Sequence, residues 1–351
     1  MAGLMQGAGK WGSETESRRP GLTCKERVLM AMAHHEADIV PYMIPIDPDP
    51  AARLDEHYGS TEWRSRIETH IARFSVDWAG PNRKNGEIFY DLFGTSWEQG
   101  NIFHAVDVPL NEPSLAGYEW PRLLPDDELE RHRTWAEANP DVFKVANMGL
   151  MFFERAWAMR GMENILLDFA AHPEFVDELF DRLMELHFPM IEKLATLPVE
   201  AIGFGDDTAG QRGMIMGVTH WRRVLKPRLK LMYEHAHKHG KYVHIHACGD
   251  MSEVIEDLIE IGVDIYNPLQ PEPQDVYAMK REYGRYITFE GGVGTQVLLP
   301  HGTPEAVRAE VRKLKTELGR DGGFIVSPTK PIMPDVPTEN AAACVEAILE
   351  N

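Results

Sequence analysis

Apolar positions along the chain fall into two patterns, short runs with strand composition and longer runs with helical spacing. Runs rich in β-branched and aromatic residues predict eight strands, at residues 39–44, 74–78, 143–148, 201–205, 242–247, 263–267, 286–290 and 324–327. Helical patterns lie between the later runs, at 219–239, 252–261, 273–283 and 304–318, and Thr219 and Thr303 are the predicted caps of the first and last. Eight strands that alternate with helices predict an α/β fold, a single (β/α)8 TIM barrel.

More than sixty residues separate the second predicted strand from the third. Residues 87–97 and 101–108 are rich in aromatic and β-branched side chains, so we predict an inserted hairpin there. Loops after barrel strands carry much of the substrate recognition in such enzymes, which makes the hairpin a candidate lid. Packing at the barrel rim without any chemistry is the alternative. The Gly- and Ser-rich residues 1–20 are predicted to form a flexible leader, and 21–351 the barrel domain.

Charge and cysteine content narrow the functional classes. The chain has 36 Lys and Arg against 55 Asp and Glu, a net charge of −19, which disfavours binding to nucleic acids. Its apolar runs are shorter than the roughly 18 to 20 residues of a membrane span, and residues 1–20 lack the apolar segment of a secretory signal. Cys24, Cys248 and Cys344 are too scattered for a disulfide framework. We therefore expect a cytoplasmic enzyme that contacts neither membranes nor nucleic acids.

The strongest chemical signal lies in the fifth predicted strand, at residues 243–250. Side chains alternate along a strand, so His244, His246 and Cys248 share one face, and we expect that face to point into the barrel. Cys248 would then lie at the carboxyl end of the strand, where barrel active sites form. Imidazole and thiolate are zinc ligands, which makes His246 and Cys248 a candidate metal pair. The alternative is a set of buried, hydrogen-bonded imidazoles beside an inert thiol.

The helix before this strand carries His235, His237 and His239. Only His235 and His239 share a helix face, because neighbours on a helix are three or four residues apart. They lie at the opposite end of the barrel from the predicted active site, and we interpret them as a solvated helix end.

Carboxylates follow two further predicted strands. By alternation from Ile202 and Phe204, Asp207 points into the barrel mouth and Asp206 is an orienting or capping group. Asp207 is a candidate for acid–base catalysis, metal ligation or substrate binding, and an N-cap pair is the alternative. Glu154 begins the helix after the third strand, where the helix dipole favours it and where it also reaches the mouth. Arg155 and Arg160 are expected to pair with carboxylates.

Together the motifs of the chain resemble the uroporphyrinogen decarboxylase superfamily along nearly its whole length. The matching segments are TCKERVL at 23–29, Asp207 with QRG at 211–213, KPRL at 226–229, HACG at 246–249, LIEIGVD at 258–264, NPLQP at 267–271, Gly292 with Thr295-Gln296, and PDVPTEN at 334–340. The resemblance implies a (β/α)8 barrel. Decarboxylases of this superfamily grip a polyanionic tetrapyrrole with an arginine-rich N-terminal segment, whereas residues 40–49 here are acidic and apolar. A porphyrinogen decarboxylase is therefore the less favoured alternative.

The other arm of the superfamily contains corrinoid-dependent methyltransferases. One subgroup methylates thiols at a zinc ion held by His-x-Cys and a distant Cys, and His246 and Cys248 match the first two ligands. The distant position reads SPTKP at 327–331, with Lys330 and no cysteine, which weakens the thiol methyltransferase alternative. We expect at most one zinc ion, with a carboxylate from Asp207 or Glu154 in place of the missing cysteine. An empty polar site is the alternative.

A further subgroup resembles the substrate-demethylating components of anaerobic O-demethylases. The resemblance implies a methyltransferase that demethylates a methoxylated, aromatic compound and passes the methyl group to the Co(I) of a separate corrinoid protein. Asp207, Glu154 and His246 are then the expected catalytic residues, and the aromatic residues of 89–97 and 152–157 are expected to sandwich the ring. The oligomeric state, monomer or homodimer, stays open.

Overall fold

The computed structural model describes residues 21–76, 78, 88–99 and 103–350, so the predicted leader lies outside the described residues. The strands, in chain order, are β1 (Ile71–Ser75), β2 (Ile88–Tyr90), β3 (Ser96–Gln99), β4 (Phe103–Asp107), β5 (Phe143–Met148), β6 (Ala201–Gly205), β7 (Ala209–Gly210), β8 (Gly213–Met214), β9 (Tyr242–His246), β10 (Ile265–Leu269), β11 (Thr288–Val293) and β12 (Phe324–Pro328). The helices are α1 (Cys24–Met32), α2 (Pro48–Tyr58), α3 (Asp126–Glu137), α4 (Phe153–Arg160), α5 (Met162–Ala171), α6 (Pro173–Ala195), α7 (Val218–His220), α8 (Lys226–Lys238), α9 (Ile255–Glu260), α10 (Val276–Tyr283), α11 (Leu298–His301), α12 (Pro304–Glu317) and α13 (Thr338–Leu349).

Seven parallel strands form the barrel sheet in the order β1-β5-β6-β9-β10-β11-β12. The first predicted strand, 39–44, takes the eighth position as a single parallel bridge between Tyr42 and Val326. The Met43 N–H donates to the Val326 carbonyl at 3.1 Å, and the Val326 N–H donates to the Pro41 carbonyl at 2.9 Å. Pro41 and Pro45 have no N–H to extend this ladder, which explains why the strand is so short. The predicted (β/α)8 barrel is confirmed.

Element boundaries differ most where proline or glycine interrupts the pattern. The predicted helix 219–239 is divided into α7, a π-helix at Trp221–Leu225 and α8, with a proline in the first turn of α8. Thr219 lies inside α7 and is not its cap, because Gly217 occupies the N-cap position. Thr303 does cap α12, since its hydroxyl accepts a hydrogen bond from the Ala306 N–H.

The predicted insertion lies between β1 and β5 and contains an antiparallel sheet of β2, β3 and β4. Residues 87, 101 and 102 of the predicted hairpin lie outside the described residues. The Asp91 carboxylate accepts hydrogen bonds from the Phe93 and Thr95 N–H groups, both at 2.9 Å, and from the Trp97 indole at 3.0 Å. The turn between β2 and β3 is thus organised around one buried carboxylate.

The barrel interior is layered. An apolar cluster fills the amino-terminal end of the barrel, and Val28 of α1 closes it from below. The strand residues of this cluster are Ile71, Phe143, Val145, Ala201, Ile265 and Ile325. Two residues further along the strands, Arg73, His244 and Glu290 meet in a buried polar layer. The outward faces of the strands pack in a second, larger apolar core that includes the barrel helices. No described helix combines the length and apolarity that a membrane crossing requires.

Candidate active site at the carboxyl end of the barrel

His246 and Cys248 lie together at the end of β9. Their side chains point into the barrel, and Val243, Ile245 and Ala247 are buried in the outer core, as the alternation predicts. The Cys248 Sγ lies 3.6 Å from the His246 Nε2. The chain turns away at Gly249 with φ +96°, where a Cβ atom would come within 2.6 Å of the Ala209 backbone. Only glycine fits this turn, which holds Cys248 at the barrel mouth.

Asp207 completes a three-residue cluster. One of its carboxylate oxygens accepts a hydrogen bond from the Cys248 N–H at 2.8 Å. Ligand atoms of Asp207, His246 and Cys248 all lie within 4.8 Å of one another. The structure therefore brings together three of the four residues that the sequence nominated.

Asp206 is a capping residue, although of a helix that precedes it in the chain. Its carboxylate accepts hydrogen bonds from the Phe153 N–H at 2.9 Å and the Glu154 N–H at 2.8 Å, at the start of α4. A negative charge at this position complements the helix dipole. Asp206 thereby fixes the α4 terminus that carries Glu154.

Glu154, the fourth nominated residue, lies close to both aspartates. Burial raises the pKa of the Glu154 carboxyl, and the negative charges of Asp206 and Asp207 raise it further. Burial also raises the pKa of Asp206, although its backbone hydrogen bonds oppose this shift. Because neighbouring negative charges disfavour ionisation of a further carboxyl group, the cluster of Glu154, Asp206 and Asp207 can retain a proton near neutral pH. This is the arrangement that a general acid requires.

Asn267 orients His246, a role that the sequence alone did not reveal. The His246 Nδ1 lies 2.7 Å from the Oδ1 of Asn267, the middle residue of β10, so Nδ1 carries the proton and donates it. The Nε2 lone pair then points towards Cys248. Burial lowers the pKa of His246, which keeps the imidazole neutral, and burial together with Asp207 raises the pKa of the Cys248 thiol to about 12.

The sulfur and nitrogen atoms of this donor set are spaced as two ligands of one zinc ion would be. With Zn–S about 2.3 Å and Zn–N about 2.0 Å, a tetrahedral site separates sulfur from nitrogen by roughly 3.5 Å. The observed Cys248–His246 distance is 3.6 Å. A second shell that fixes the ligating imidazole is also present, in the form of Asn267. Lys330, at the position of the family's distant cysteine, is exposed. Its charge opposes the effect of burial on the pKa of Cys248 and adds to the lowering of the pKa of His246.

Most of the aromatic side chains that were predicted to sandwich a ring are buried. Phe93, Trp97, Phe152 and Phe153 are at most 3% exposed, and Phe93, Phe152 and Phe153 belong to the outer core. Their rings pack against neighbouring side chains, for example Trp97 edge-on against Trp157 at 5.7 Å. Alternating sequence patterns do not distinguish a ring that lines a cavity from one that fills the core.

Both arginines of α4 are paired, as expected. Arg155 donates to Asp91 at 2.6 Å and Arg160 donates to Asp168 at 2.8 Å. Because Asp91 organises the inserted sheet, the Arg155 pair joins that sheet to the helix that carries Glu154. The insertion therefore supports the site from outside the barrel.

Comparisons with known proteins agree with this architecture. The family model described as uroporphyrinogen decarboxylase (URO-D) matches residues 153–350, more than half of the chain. A curated uroporphyrinogen decarboxylase from Pseudoalteromonas translucida (strain TAC 125) is 34% identical over 71 residues, which are 20% of this chain and 20% of that relative. A solved methyltransferase from Methanosarcina mazei has 18% sequence identity and a TM-score of 0.68, over 93% of this chain and 98% of that one. The structural similarity establishes the fold, and the family match establishes that the chain belongs to the uroporphyrinogen decarboxylase family.

Proposed function

We propose that this chain is a methyltransferase that demethylates a methoxylated aromatic compound and passes the methyl group to the Co(I) of a separate corrinoid protein. The observation that carries the proposal is a proton-retaining carboxyl group, Glu154, beside a His246–Cys248–Asp207 donor set at the barrel mouth. Membership of the family supports an enzyme of this class, and the similar fold of the Methanosarcina mazei methyltransferase supports methyl transfer.

The chemistry explains why an acid is needed. When the methyl–oxygen bond breaks, its electron pair stays on the ether oxygen, and an alkoxide or phenolate is a poor leaving group. Glu154 can donate a proton to that oxygen, because burial and the two aspartates keep it protonated. Asp206 holds the Glu154 backbone in place at the start of α4.

His246, Cys248 and Asp207 would hold the zinc ion, which when bound would act as a Lewis acid at the same oxygen. Asn267 keeps the His246 Nε2 free of a proton and turned towards Cys248. Asp207, through its hydrogen bond to the Cys248 N–H, fixes the loop that presents the thiol. Asn267 and Asp207 thus position the nitrogen of His246 and the sulfur of Cys248 for binding a metal ion.

Charge around the mouth argues against a decarboxylase. Such an enzyme needs cations that grip substrate carboxylates. Arg73, inside the barrel, is engaged by Glu290, and Arg155 is engaged by Asp91. The exposed Lys330 is a weak substitute for an arginine cluster.

The test is methyl transfer from a methoxylated aromatic compound to Co(I) corrinoid supplied on its carrier protein. The chain purified alone should be colourless, and His246→Ala and Asp207→Ala variants that still fold should lose activity by about a hundredfold or more. His237→Ala, on the outer face of α8, is the matched control and should keep full activity. Loss of activity on chelation, restored by zinc, would support the metal.

Other outcomes would redirect the proposal. Conversion of uroporphyrinogen, or full methyl-transfer rates in both variants, would overturn it. Methylation of a thiol such as coenzyme M would favour the thiol methyltransferase instead. If His246→Ala kept its activity and Asp207→Ala lost it, the remaining mechanism would be proton donation by a carboxyl group without a metal ion.

A further inference from the structure

A second group of donor atoms lies on the outside of the barrel. It consists of Glu192 on α6 with His235 and His239 at the end of α8, and one ligand atom from each lies within 4.8 Å of the others. The chain runs from His239 into the amino end of β9, whereas His246 lies at the other end of that strand. The cluster is therefore separate from the candidate active site. Sequence spacing paired the two histidines but gave no sign of Glu192, which reaches them from another helix.

The geometry of the cluster is that of a ligand set. His235 and His239 are one helical turn apart, with ring centroids 4.9 Å apart, and two histidines at this spacing on one helix can share a metal ion. The His235 Nε2 lies 3.3 Å from the Glu192 Oε1. Two ligands on one tetrahedral zinc lie roughly 3.3 to 3.5 Å apart, whereas a charged hydrogen bond is about 2.7 to 2.9 Å long.

An unsatisfied ring nitrogen is the second observation. The His235 Nε2 is shielded from solvent, and within the described part of the chain it makes no hydrogen bond, although Glu192 is close. A buried nitrogen without a partner is costly, and a cation between His235 and Glu192 would satisfy both. His237, between the two histidines in sequence, instead contacts Asp264 at 2.8 Å.

We propose that Glu192, His235 and His239 bind one divalent transition-metal ion, with zinc as the reference metal. Imidazole with carboxylate suits zinc, nickel or copper better than magnesium or calcium. Glu192 and His239 are exposed, so a fourth position is open to water. In the hydrolytic His-Glu-x-x-His motif a glutamate follows the first histidine, but Ala236 occupies that position here. The site therefore binds metal without hydrolytic chemistry, and it joins α6 to α8.

The experiment is a zinc titration by calorimetry on the full chain, without an affinity tag, in a His246→Ala/Cys248→Ser background. That background removes the proposed mouth site, so the result does not depend on the proposed function. We expect one zinc per chain, and a loss of more than about tenfold in affinity for His235→Ala/His239→Ala, since even second-shell changes cost that much. His237→Ala is the matched control and should stay within about twofold.

Two further measurements keep the test decisive. Glu192→Gln changes only an exposed carboxylate, so it should fold and should still lose affinity. Zinc should raise the melting temperature of the background protein and not that of the double-histidine variant, because only a native-state site stabilises the fold. Absence of zinc binding in the background, unchanged affinity in both variants, or an equal loss in His237→Ala would overturn the proposal.

Discussion

Two histidines of β9, two residues apart and both pointing into the barrel, lie in opposite electrostatic settings. His244 is almost fully buried, with its Nε2 2.9 Å from Glu290 and 3.1 Å from Arg73. His246 lies one layer higher, where its contacts are Asn267 and Cys248 and where Asp207 and Glu154 lie close by. The same residue type on the same strand therefore belongs to a paired interior network in one layer and to an acid-rich mouth in the next.

The difference is one of charge balance. In the lower layer, burial opposes ionisation of Glu290, but the Arg73 charge and the His244 hydrogen bond lower its pKa to about 2. Burial lowers the pKa of His244 to about 4, so the layer contains one cation and one anion. At the mouth, none of the carboxylates of Glu154, Asp206 and Asp207 forms an ion pair with Lys or Arg among the residues described. A balanced layer leaves no charge uncompensated inside the barrel, whereas an unbalanced one is available for a proton, a metal ion or a substrate.

The lower layer should be the more sensitive to loss of a charge. Glu290→Gln leaves Arg73 with a neutral partner inside the barrel, and we expect it to lower the free energy of unfolding by about 3 kcal/mol. Urea unfolding at pH 7 measures this. Since folding lowers the pKa of Glu290, its contribution is complete above the usual value of 4.5 and is lost as pH falls towards 2.

An exposed pair provides the control for that experiment. Arg312 makes two hydrogen bonds to Glu350, at 2.7 and 2.8 Å, but both side chains are solvent-exposed. Glu350→Gln should therefore cost less than about 1 kcal/mol. Equal losses in the two variants would contradict the view that burial makes the Glu290 network important.

The sequence predicted the mouth better than the layer below it, for a physical reason. Alternation from buried neighbours places Asp207 correctly, because the side-chain period of a strand is fixed. Arg73 was missed because the second strand begins at Ile71, three residues before the predicted start, so Arg73 fell outside it. Its partners lie on β9 and β11, and such contacts depend on strand order and register.

The barrel itself was predictable from local pattern. The bounds of β5 and β6 agree with prediction because each is a short apolar run between turns. Asn267 shows the limit of this reasoning, since it is one polar residue in the middle of a buried strand. Its function follows only from the 2.7 Å contact with His246 across adjacent strands.

Asn267 offers a smaller perturbation of the mouth. Asn267→Ala removes the acceptor that fixes the His246 tautomer, and we expect zinc affinity and methyl transfer to fall by about 10- to 100-fold. Asn340 serves as the control, because it is also buried but donates its hydrogen bond to the Leu299 carbonyl and not to a residue of the candidate site. Asn340→Ala should lower stability without changing zinc affinity per folded molecule. Equal zinc affinity in Asn267→Ala and the wild type, measured by competition with a chromophoric chelator, would exclude this positioning role.

Glu154 should give the mouth a pH dependence of opposite sign to that of Glu290. Because folding raises the pKa of Glu154 above its usual 4.5, the folded state binds more protons, and stability falls as pH rises from 4.5 towards the raised pKa. Glu154→Gln cannot ionise, so at pH 8 it should be more stable than the wild type by about 1 to 2 kcal/mol, allowing for partial solvent screening. At pH 5 the two proteins should differ less. Urea unfolding at both pH values checks this, with the exposed Glu163→Gln at the start of α5 as control. If Glu154→Gln instead lost stability at pH 8, the carboxyl group would be ionised and stabilised by a cation, and proton donation from Glu154 would have to be abandoned.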